Sequence, residues 1–330
     1  MTDSSRPRVS IVTPTLNQAP FLEQTLRSVL DQGYPDLEYI VIDGGSTDGT
    51  VDILRRYEAH LAHWVSEPDL GQADAINKGF ARATGDLIGY LNSDDLYEPG
   101  CLARVVADFV SGPDRAWHAY PVRDFSTAGL EGLHPAPRLG EQLREHRTDE
   151  AGSLSNDLLR WVLGQVSLHQ PGVFWRREQW AAVGGFDLRY HYAFDRHFFM
   201  RLIEAGYPLV CHGGAPVALF RLHDQSKTGM HLHGADNRFV RERMRICDEF
   251  EQGLSPADRR RVRRVRTEDA ISRGWKMFRE GAPRLRCCLW LGRLAMSRHE
   301  ALRSRYFWAS ATRFLVRSRP ARRVRGRRAP

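Results

Sequence analysis

The sequence predicts an α/β fold with a mainly parallel sheet and helices on both of its faces. Short apolar segments alternate with amphipathic ones over the first hundred residues, and each strand-like segment runs into a polar cluster. This alternation is typical of parallel sheets, whose strands are joined by crossover helices. Because such sheets bind ligands at the carboxyl ends of their strands, we expect a binding site along that edge.

The individual elements follow from the spacing of apolar residues. Strands are predicted over residues 8–13, 37–42, 63–66 and 86–91. Helices are predicted between Asn17 and Gly33, from Thr50 to about His60, and from Ala73 to Ala83. The first helix illustrates the pattern, since Leu22, Leu26 and Val29 recur at helical spacing behind Asn17, a plausible N-cap.

Polar clusters follow all four predicted strands, at residues 13–17, 43–48, 67–72 and 92–95. The last of them contains two adjacent carboxylates, Asp94 and Asp95. Paired carboxylates at a strand end can hold Mg²⁺ or Mn²⁺, which in turn holds a diphosphate. The alternative is that Asp94 and Asp95 only cap the following helix within a solvated turn.

Composition limits the class of protein. The chain has 330 residues, 42% of them hydrophobic, which is enough for one large domain or two smaller ones. No apolar run reaches the roughly 20 residues that span a bilayer, and residues 1–8 lack the apolar stretch of a signal peptide. The five cysteines have no metal-finger spacing, so we expect free thiols and a cytosolic protein.

The net charge of +8 is unevenly distributed. Residues 240–330 carry 26 Lys and Arg against 9 Asp and Glu, which leaves 22 against 31 for residues 1–239. An acidic body suits a metal-dependent pocket, whereas an Arg-rich end favours an anionic partner. The segment 43–46 does not fit the dinucleotide fingerprint and no phosphate-loop motif occurs, so hydride transfer and nucleoside triphosphate hydrolysis are disfavoured.

Eight short motifs, each weak alone, occur in the order found in one known family. They are VSIVTPT (9–15), IDGGSTDG (42–49), GQADAINKG (71–79), LNSDD (91–95), HQP (169–171), VGGFD (183–187), FD (194–195) and FRLH (220–223). Together they resemble family 2 glycosyltransferases of the Rossmann-like GT-A fold, over roughly residues 8–228. The resemblance implies an inverting enzyme that moves a sugar from a nucleotide diphosphate donor to an acceptor hydroxyl, with Mn²⁺ or Mg²⁺ as cofactor.

The resemblance also implies roles for individual residues. Asp195 matches the catalytic base, and Asp94, Asp95 and His223 match the metal site, with Asp94 also facing the donor. Thr13 and Asp43 match residues that hold the donor base. The full set of expected donor-binding residues is Thr13, Pro14, Asn17, Asp43, Gln72, Asn77, Lys78, Asn92 and Asp94.

The chain departs from the usual family pattern at the predicted base and at the predicted metal site. Phe194 precedes the expected base where many members have Glu, and His197 stands where many have a further acid. Asn92 occupies a position that is often Asp, which removes one negative charge and predicts lower metal affinity. A branch with the Asn-Ser-Asp-Asp motif resembles this chain closely, so we expect activity to be retained.

Outside the motifs, the sequence predicts a domain organisation. Residues 1–233 are assigned to the GT-A domain, with a nucleotide-binding half at 8–112 and an acceptor half at 113–233. Within the acceptor half, residues 117–153 lack periodicity and are interpreted as a long functional loop that forms part of an acceptor lid. Residues 234–318 form a basic helical extension, and residues 319–330 form a disordered basic tail.

The extension leaves two interpretations open. Its apolar and aromatic groups flanked by arginines fit helices lying on an anionic membrane surface, which would place the protein peripherally on the inner face of the cytoplasmic membrane. They equally fit a helical hairpin packed on the catalytic domain with a solvated basic face. No nucleic-acid-binding module is recognisable, so we expect no specific nucleic-acid partner.

Taken together, the sequence predicts an inverting glycosyltransferase of cell-envelope or polysaccharide biosynthesis. Its expected partners are a nucleotide diphosphate-sugar donor and a saccharide or lipid-linked saccharide acceptor. A nucleotidyltransferase that makes the activated sugar is one alternative, although the chain lacks a Gly-rich triphosphate loop. A degenerate, non-catalytic nucleotide-sugar-binding protein is the other, and only Asn92 and Phe194 favour it.

Overall fold

A computed structural model describes residues 6–126, 168–223, 227, 238–260, 262–264, 267, 271, 284–297 and 307–308. The chain divides into two compact units, Met1–Cys247 and Asp248–Pro330. The predicted long loop and the predicted tail fall largely or wholly outside the described residues. Of the loop, only its first ten residues are described.

The first hundred residues confirm the predicted alternation. The strands are β1 (Val9–Thr15), β2 (Leu37–Asp43), β3 (His63–Ser66) and β4 (Leu87–Tyr90). The helices between them are α1 (Ala19–Leu30), α2 (Thr50–Tyr57) and α3 (Gln72–Arg82). All seven lie within a few residues of their predicted bounds, because each has the apolar period that its structure requires.

These strands form the parallel half of a seven-stranded sheet with the order β3-β2-β1-β4-β8-β6-β9. Strand β1 pairs in parallel with β2 and β4, and β2 pairs in parallel with β3. The register aligns Thr15 with Asp43 and Asp43 with Ser66, so the polar clusters of three strands lie at one edge. The confirmed α/β fold thus places the predicted binding edge where the sequence put it.

The remaining strands of this sheet come from the acceptor half. They are β6 (Trp117–Ala119), β8 (Val173–Arg176) and β9 (Leu209–Cys211), and β8 runs antiparallel to both β4 and β6. A smaller sheet joins β5 (Leu96–Tyr97), β10 (Ala218–Leu222) and β7 (Val122–Ser126) in the order β5-β10-β7. Because β5 directly follows Asp94 and Asp95, the small sheet brings β10 against this carboxylate pair.

Three further helices belong to the first unit: α4 (Cys101–Ser111), α5 (Arg177–Val183) and α6 (Phe194–Glu204). Behind the pocket lies an aromatic cluster in which Phe194 packs on Phe186, with ring centroids 5.2 Å apart. Trp175 and Phe198 extend this cluster at 5.1 Å. The position before Asp195, usually acidic in the family, is therefore occupied here by a buried core side chain.

After residue 233, the helices with described bounds are α7 (Arg238–Glu251) and α8 (Arg284–Ser297), and residues 256–260 and 262–264 are helical as well. All of these residues lie within the predicted basic helical extension, residues 234–318. The boundary between the compact units falls inside α7, after Cys247, so the first ten residues of α7 belong to the unit of the large sheet. Within the described part of the chain, no helix is both long and apolar enough to cross a membrane.

Candidate active site

A cavity of about 690 Å³ lies at the carboxyl ends of β1 and β4. Of the predicted site residues, Pro14, Gln72, Asn92, Asp94 and Asp195 line it. The cavity also brings in three cationic side chains, Arg196, Lys227 and Arg243. All of these residues belong to the first compact unit.

Asp94 and His223, two of the three residues predicted as metal ligands, lie side by side. The Nε2 atom of His223 lies 2.9 Å from an Asp94 carboxylate oxygen. Phe21 packs on the His223 ring with centroids 4.8 Å apart, and His223 itself is not among the residues that line the cavity. Two residues 129 positions apart in sequence thus present converging donor atoms.

Arg221, which the sequence analysis did not single out, holds this pair together. Its Nε donates to the backbone carbonyl of Asp94 at 2.7 Å, and its guanidinium lies between the rings of Phe21 (4.8 Å) and Phe125 (4.4 Å). Burial lowers the pKa of Arg221 from its usual value, against the raising effect of Asp94 and Asp95. The sequence contained a signal for Arg221. Side chains two residues apart on an extended segment point to the same side, and Arg221 lies two residues before His223.

Asp95 is placed differently from its neighbour. It is buried, one carboxylate oxygen accepts the backbone N–H of Arg221 at 2.9 Å, and the other accepts the Asn92 amide at 3.2 Å. Burial and the nearby Asp94 raise the pKa of Asp95 well above its ordinary value, although both hydrogen bonds oppose the shift. Asp95 is not among the residues that line the cavity, and its contacts tie β10 to the end of β4.

Asn92 belongs to a relay of amides along the pocket wall. Its Oδ1 accepts from Gln72 Nε2 at 2.6 Å, while its Nδ2 donates to Asp95 and to Gln170. Lys227 Nζ donates to Gln72 Oε1 at 2.9 Å and extends the relay. An aspartate at position 92 could accept but not donate, and it would face the buried Asp95 with a second carboxylate. The hydrogen bonds of Asn92 therefore explain why an amide fits this position better than a carboxylate.

The predicted donor-base residues Thr13 and Asp43 are fully buried and do not line the cavity. Thr13 Oγ1 lies 3.0 Å from the Tyr39 hydroxyl. The Asp43 carboxylate accepts the Ser46 backbone N–H at 2.9 Å and the Ser66 hydroxyl at 2.5 Å, and it also accepts the Ser46 hydroxyl. Asp43 thereby closes the turn after β2 and links it to the end of β3.

The other predicted donor residues outside the cavity lining also support loops. Asn17 Oδ1 accepts the Thr47 backbone N–H at 2.9 Å, which joins the loops after β1 and β2. Asn77 exchanges two hydrogen bonds of 2.8 Å with the backbone of Phe186. A Cβ on Gly185 would lie 2.6 Å from Asn77 Oδ1, so glycine is needed for this contact.

Lys78 is held by two acidic neighbours. Its Nζ forms ion pairs with Glu67 at 3.0 Å and with Asp74 at 3.6 Å. The hydrogen bond to Glu67 is the main cause of a raised pKa for Lys78. The structure thus brings Lys78 to the loop after β3 rather than to the cavity lining.

Asp195 lies at the start of α6, where its carboxylate lines the cavity. Burial raises its pKa to about 6, although the Arg196 backbone N–H, which donates at 2.6 Å, acts in the opposite direction. A carboxylate with a pKa near 6 is ionised at neutral pH and binds a proton more readily than an ordinary Asp. This is the property that a general base needs.

The described residues supply a limited set of metal donors. No group of three or more His, Cys, Asp or Glu side chains able to hold an ion occurs within the described ranges. Asp94 and His223 supply two donor atoms 2.9 Å apart. This number fits Mg²⁺ or Mn²⁺ bound by a few protein ligands together with substrate phosphates and water.

Solved structures with the same architecture define the class of fold. TarS residues 1–349 of S. aureus in complex with UDP-GlcNAc aligns with a TM-score of 0.61 at 15% identity, over 93% of this chain and 88% of that one. The chain spans 49% of a longer TarS chain. The mannosyltransferase PcManGT of Pyrobaculum calidifontis, with GDP-Man and Mn²⁺, aligns with a TM-score of 0.52 at 21% identity, over 95% and 76%. The fold is therefore that of GT-A glycosyltransferases.

Sequence comparison then gives the family. The model of the family described as "Glycosyl transferase family 2" matches residues 10–152. The uncharacterised glycosyltransferase Rv1514c of Mycobacterium tuberculosis is 33% identical over 200 residues, which cover 60% of this chain and 70% of that protein. The putative teichuronic acid biosynthesis glycosyltransferase TuaG of Bacillus subtilis is 42% identical over 98 residues, 28% of this chain and 38% of that protein. The chain belongs to glycosyl transferase family 2, as its motifs predicted.

Proposed function

We propose that this glycosyltransferase moves a sugar from a nucleoside diphosphate-sugar to an acceptor hydroxyl with inversion, and that Asp195 is the general base. One observation carries the proposal. The Asp195 carboxylate, with a pKa of about 6, lines the same cavity as Asp94, which pairs with His223. A proton acceptor and a site for a diphosphate are the two parts that such a transfer requires.

The reaction proposed is a single displacement. The acceptor oxygen forms a bond to the anomeric carbon while the bond from that carbon to the diphosphate oxygen breaks. The acceptor proton passes to the Asp195 carboxylate, and the leaving diphosphate carries away the bonding electron pair. Attack opposite the leaving group inverts the anomeric carbon, so no covalent sugar–enzyme intermediate is needed.

Asp94 and His223 are the residues proposed to hold Mn²⁺ or Mg²⁺. When bound, the ion would offset the charge of the leaving diphosphate as a Lewis acid. Arg221 binds the backbone carbonyl of Asp94 and so holds it beside β10, which leads into His223. The buried Asp95 carboxylate binds the backbone N–H of Arg221 and supports the same contact. In this proposal Asp95 is a support for the metal site, whereas Asp94 reaches the donor.

The donor is proposed to lie along Pro14, Gln72, Asn92 and Asp94, which line the cavity. Thr13, Asn17, Asp43, Asn77 and Lys78 then act indirectly, through the loops that their hydrogen bonds and ion pairs hold. TarS with UDP-GlcNAc supports a nucleotide-sugar as donor. The name of TuaG supports cell-envelope polysaccharide biosynthesis as the pathway class, with a saccharide or lipid-linked saccharide as acceptor.

A donor screen tests this function. The purified chain is heated with UDP-glucose, UDP-GlcNAc, UDP-galactose, dTDP-rhamnose or GDP-mannose, each with Mn²⁺, Mg²⁺ or EDTA. We expect one donor to raise the Tm with metal and little without it, because ligands that bind the folded state stabilise it. The same donor should be slowly hydrolysed.

The matched pair of variants is Asp94→Asn and Asp52→Asn. Asp94→Asn should abolish the metal-dependent part of the Tm shift and the hydrolysis. Asp52, which is exposed on α2, is the control for loss of one carboxylate, and its variant should behave as wild type. Donor binding without any hydrolysis would favour a non-catalytic binding protein, and equal behaviour of the two variants would remove the metal assignment.

A further inference from the structure

A buried glutamate on α7 holds the backbone that leads into the helix of Asp195. Glu242 Oε1 accepts the His191 backbone N–H at 2.9 Å. Its Oε2 accepts the N–H groups of Tyr192 at 2.7 Å and Ala193 at 2.9 Å. Residues 191–193, here called the base arc, end where α6 begins, and Asp195 is the second residue of that helix.

The three hydrogen bonds to Glu242 are strong for bonds between a side chain and backbone N–H groups. Glu242 is 9% exposed, and hydrogen bonds to an ionised group that is shielded from water are roughly twice as strong as neutral ones. Ala193 is the N-cap residue of α6 and has no side-chain oxygen to cap it. Glu242 therefore supplies from another helix both an acceptor for these N–H groups and a negative charge near the positive end of α6.

The base arc is held from a second direction by Lys227. Its Nζ donates to the His191 carbonyl at 3.1 Å and lies 5.9 Å from the Phe194 ring centroid. Desolvation lowers the pKa of Lys227, and the carboxylates of Glu242 and Asp195 oppose that shift in this order. The ammonium group of Lys227 therefore lies within electrostatic range of both carboxylates.

We propose that Glu242 is a positioning residue for transfer: it fixes the base arc and thereby sets where the Asp195 carboxylate stands in the cavity. This inference rests on the proposed role of Asp195 as base. Glu242 is not among the cavity-lining residues, so it acts through the backbone and not by contact with substrate. Displacement of a reacting group by about 1 Å can lower a rate by about 10²-fold, so this support is large enough to matter.

The first test compares Glu242→Gln with Glu204→Gln. The glutamine keeps the side-chain length but places an NH₂ group against one of the backbone N–H groups. Glu204 lies exposed at the end of α6, so its variant is the matched control for loss of a charge. The measurements are kcat and KM for hydrolysis of the donor found in the screen, the Kd of the corresponding nucleoside diphosphate, and Tm.

We expect Glu242→Gln to lower kcat about 10- to 100-fold while KM and the nucleoside diphosphate Kd change less than about twofold. The Glu204→Gln control should match wild type. A wild-type kcat at temperatures below the Tm of Glu242→Gln would overturn the inference, however much that Tm has fallen. A nucleotide Kd weakened in parallel with kcat would also overturn it, because it would indicate general damage to the site.

Glu242→Asp covers the case in which the glutamine variant does not fold. It keeps the charge but shortens the side chain by one methylene, so it should partly restore kcat relative to Glu242→Gln. If only the aspartate variant folds, a kcat at least about threefold below wild type with unchanged nucleotide Kd supports positioning, and a wild-type kcat contradicts it.

A double-mutant cycle separates this inference from the function on which it rests. If Glu242 acts through Asp195, then Glu242→Gln should cost little further rate once Asp195→Asn is present. An equal cost in both backgrounds would contradict positioning while leaving Asp195 as the base. A wild-type rate for Asp195→Asn alone would instead contradict the proposed function.

Discussion

The cavity has a proposed donor side, at the ends of β1 to β4, and a proposed base side, at the start of α6. The two sides use polar residues in different ways. On the donor side, the buried polar side chains mainly bind one another or the backbone, as Asp43 does with Ser46 and Ser66. On the base side, Asp195 is the supported group, and Glu242 holds the chain before it. Hydrogen bonds such as those of Asp43 therefore fix the loops on the proposed donor side, whereas the proposed base side retains a carboxylate whose pKa is raised.

The largest effect that this comparison predicts is at Asp195. Asp195→Asn should lower kcat for transfer or donor hydrolysis by about 10²- to 10⁴-fold, because an amide cannot accept the acceptor proton. The Tm shift with donor and Mn²⁺ should persist, since the donor side does not depend on this carboxylate. Activity within twofold of wild type, measured by nucleoside diphosphate release, would move the base elsewhere.

The pH profile should report the same group. Because burial raises the pKa of Asp195 to about 6, the base loses its negative charge as the pH falls through that value. The rate kcat/KM should then fall about tenfold per pH unit below pH 6. An unperturbed Asp would place this limb near pH 4. A limb at pH 4, with the protein still folded by circular dichroism, would contradict the perturbed base.

Replacement of Asn92 by aspartate should lower the stability of the protein and should not improve the proposed metal site. Asn92→Asp removes the donation to Asp95 and adds a like charge beside it, which should lower the free energy of unfolding by about 1–3 kcal/mol. Urea denaturation measures this change. Asn92→Ala is the uncharged reference, because it loses both donations of the Asn92 amide and also the acceptance from Gln72, which an aspartate would keep. An aspartate variant as stable as wild type would show that the donations of the Asn92 amide are unimportant for stability.

The smallest effect concerns a face of α8 in the second compact unit. Leu285 and Leu289 are exposed one turn apart on this helix, and the exposed Arg293 follows at the same spacing. We expect the full chain to cosediment with phosphatidylglycerol vesicles, and Leu285→Asp/Leu289→Asp to reduce the bound fraction roughly three- to tenfold. Val110→Asp, at an exposed site on α4, is the control. No binding by wild type would favour the helical hairpin with a solvated basic face.

Local patterns made much of the fold predictable. The strands β1 to β4 and the helices between them follow from apolar periods of two to four residues, and the position of the cavity follows from parallel topology. Asp94 and His223 were paired through the family resemblance, and their 2.9 Å contact is present. In contrast, no local pattern decides which of the two adjacent carboxylates, Asp94 or Asp95, faces the cavity.

The remaining features depend on partners far away in the chain. Asn77 is bound to Phe186, which lies 109 residues further on, and Asp95 is bound to Arg221 across 126 residues. Nothing in the helix that carries Asn77 indicates that its amide meets a backbone and not a donor. Glu242 was not detected for a related reason, since an acid between Arg241 and Arg243 on a helix has the pattern of a solvated face.

The position of Glu242 also bears on where this protein can be divided. The family resemblance ends near residue 228, and a cut at residue 233 would leave all eight motifs in place. It would also remove the carboxylate that binds residues 191–193, ahead of Asp195. A fragment that keeps this carboxylate and the whole first compact unit extends to Cys247, 24 residues past the last motif, which ends at residue 223.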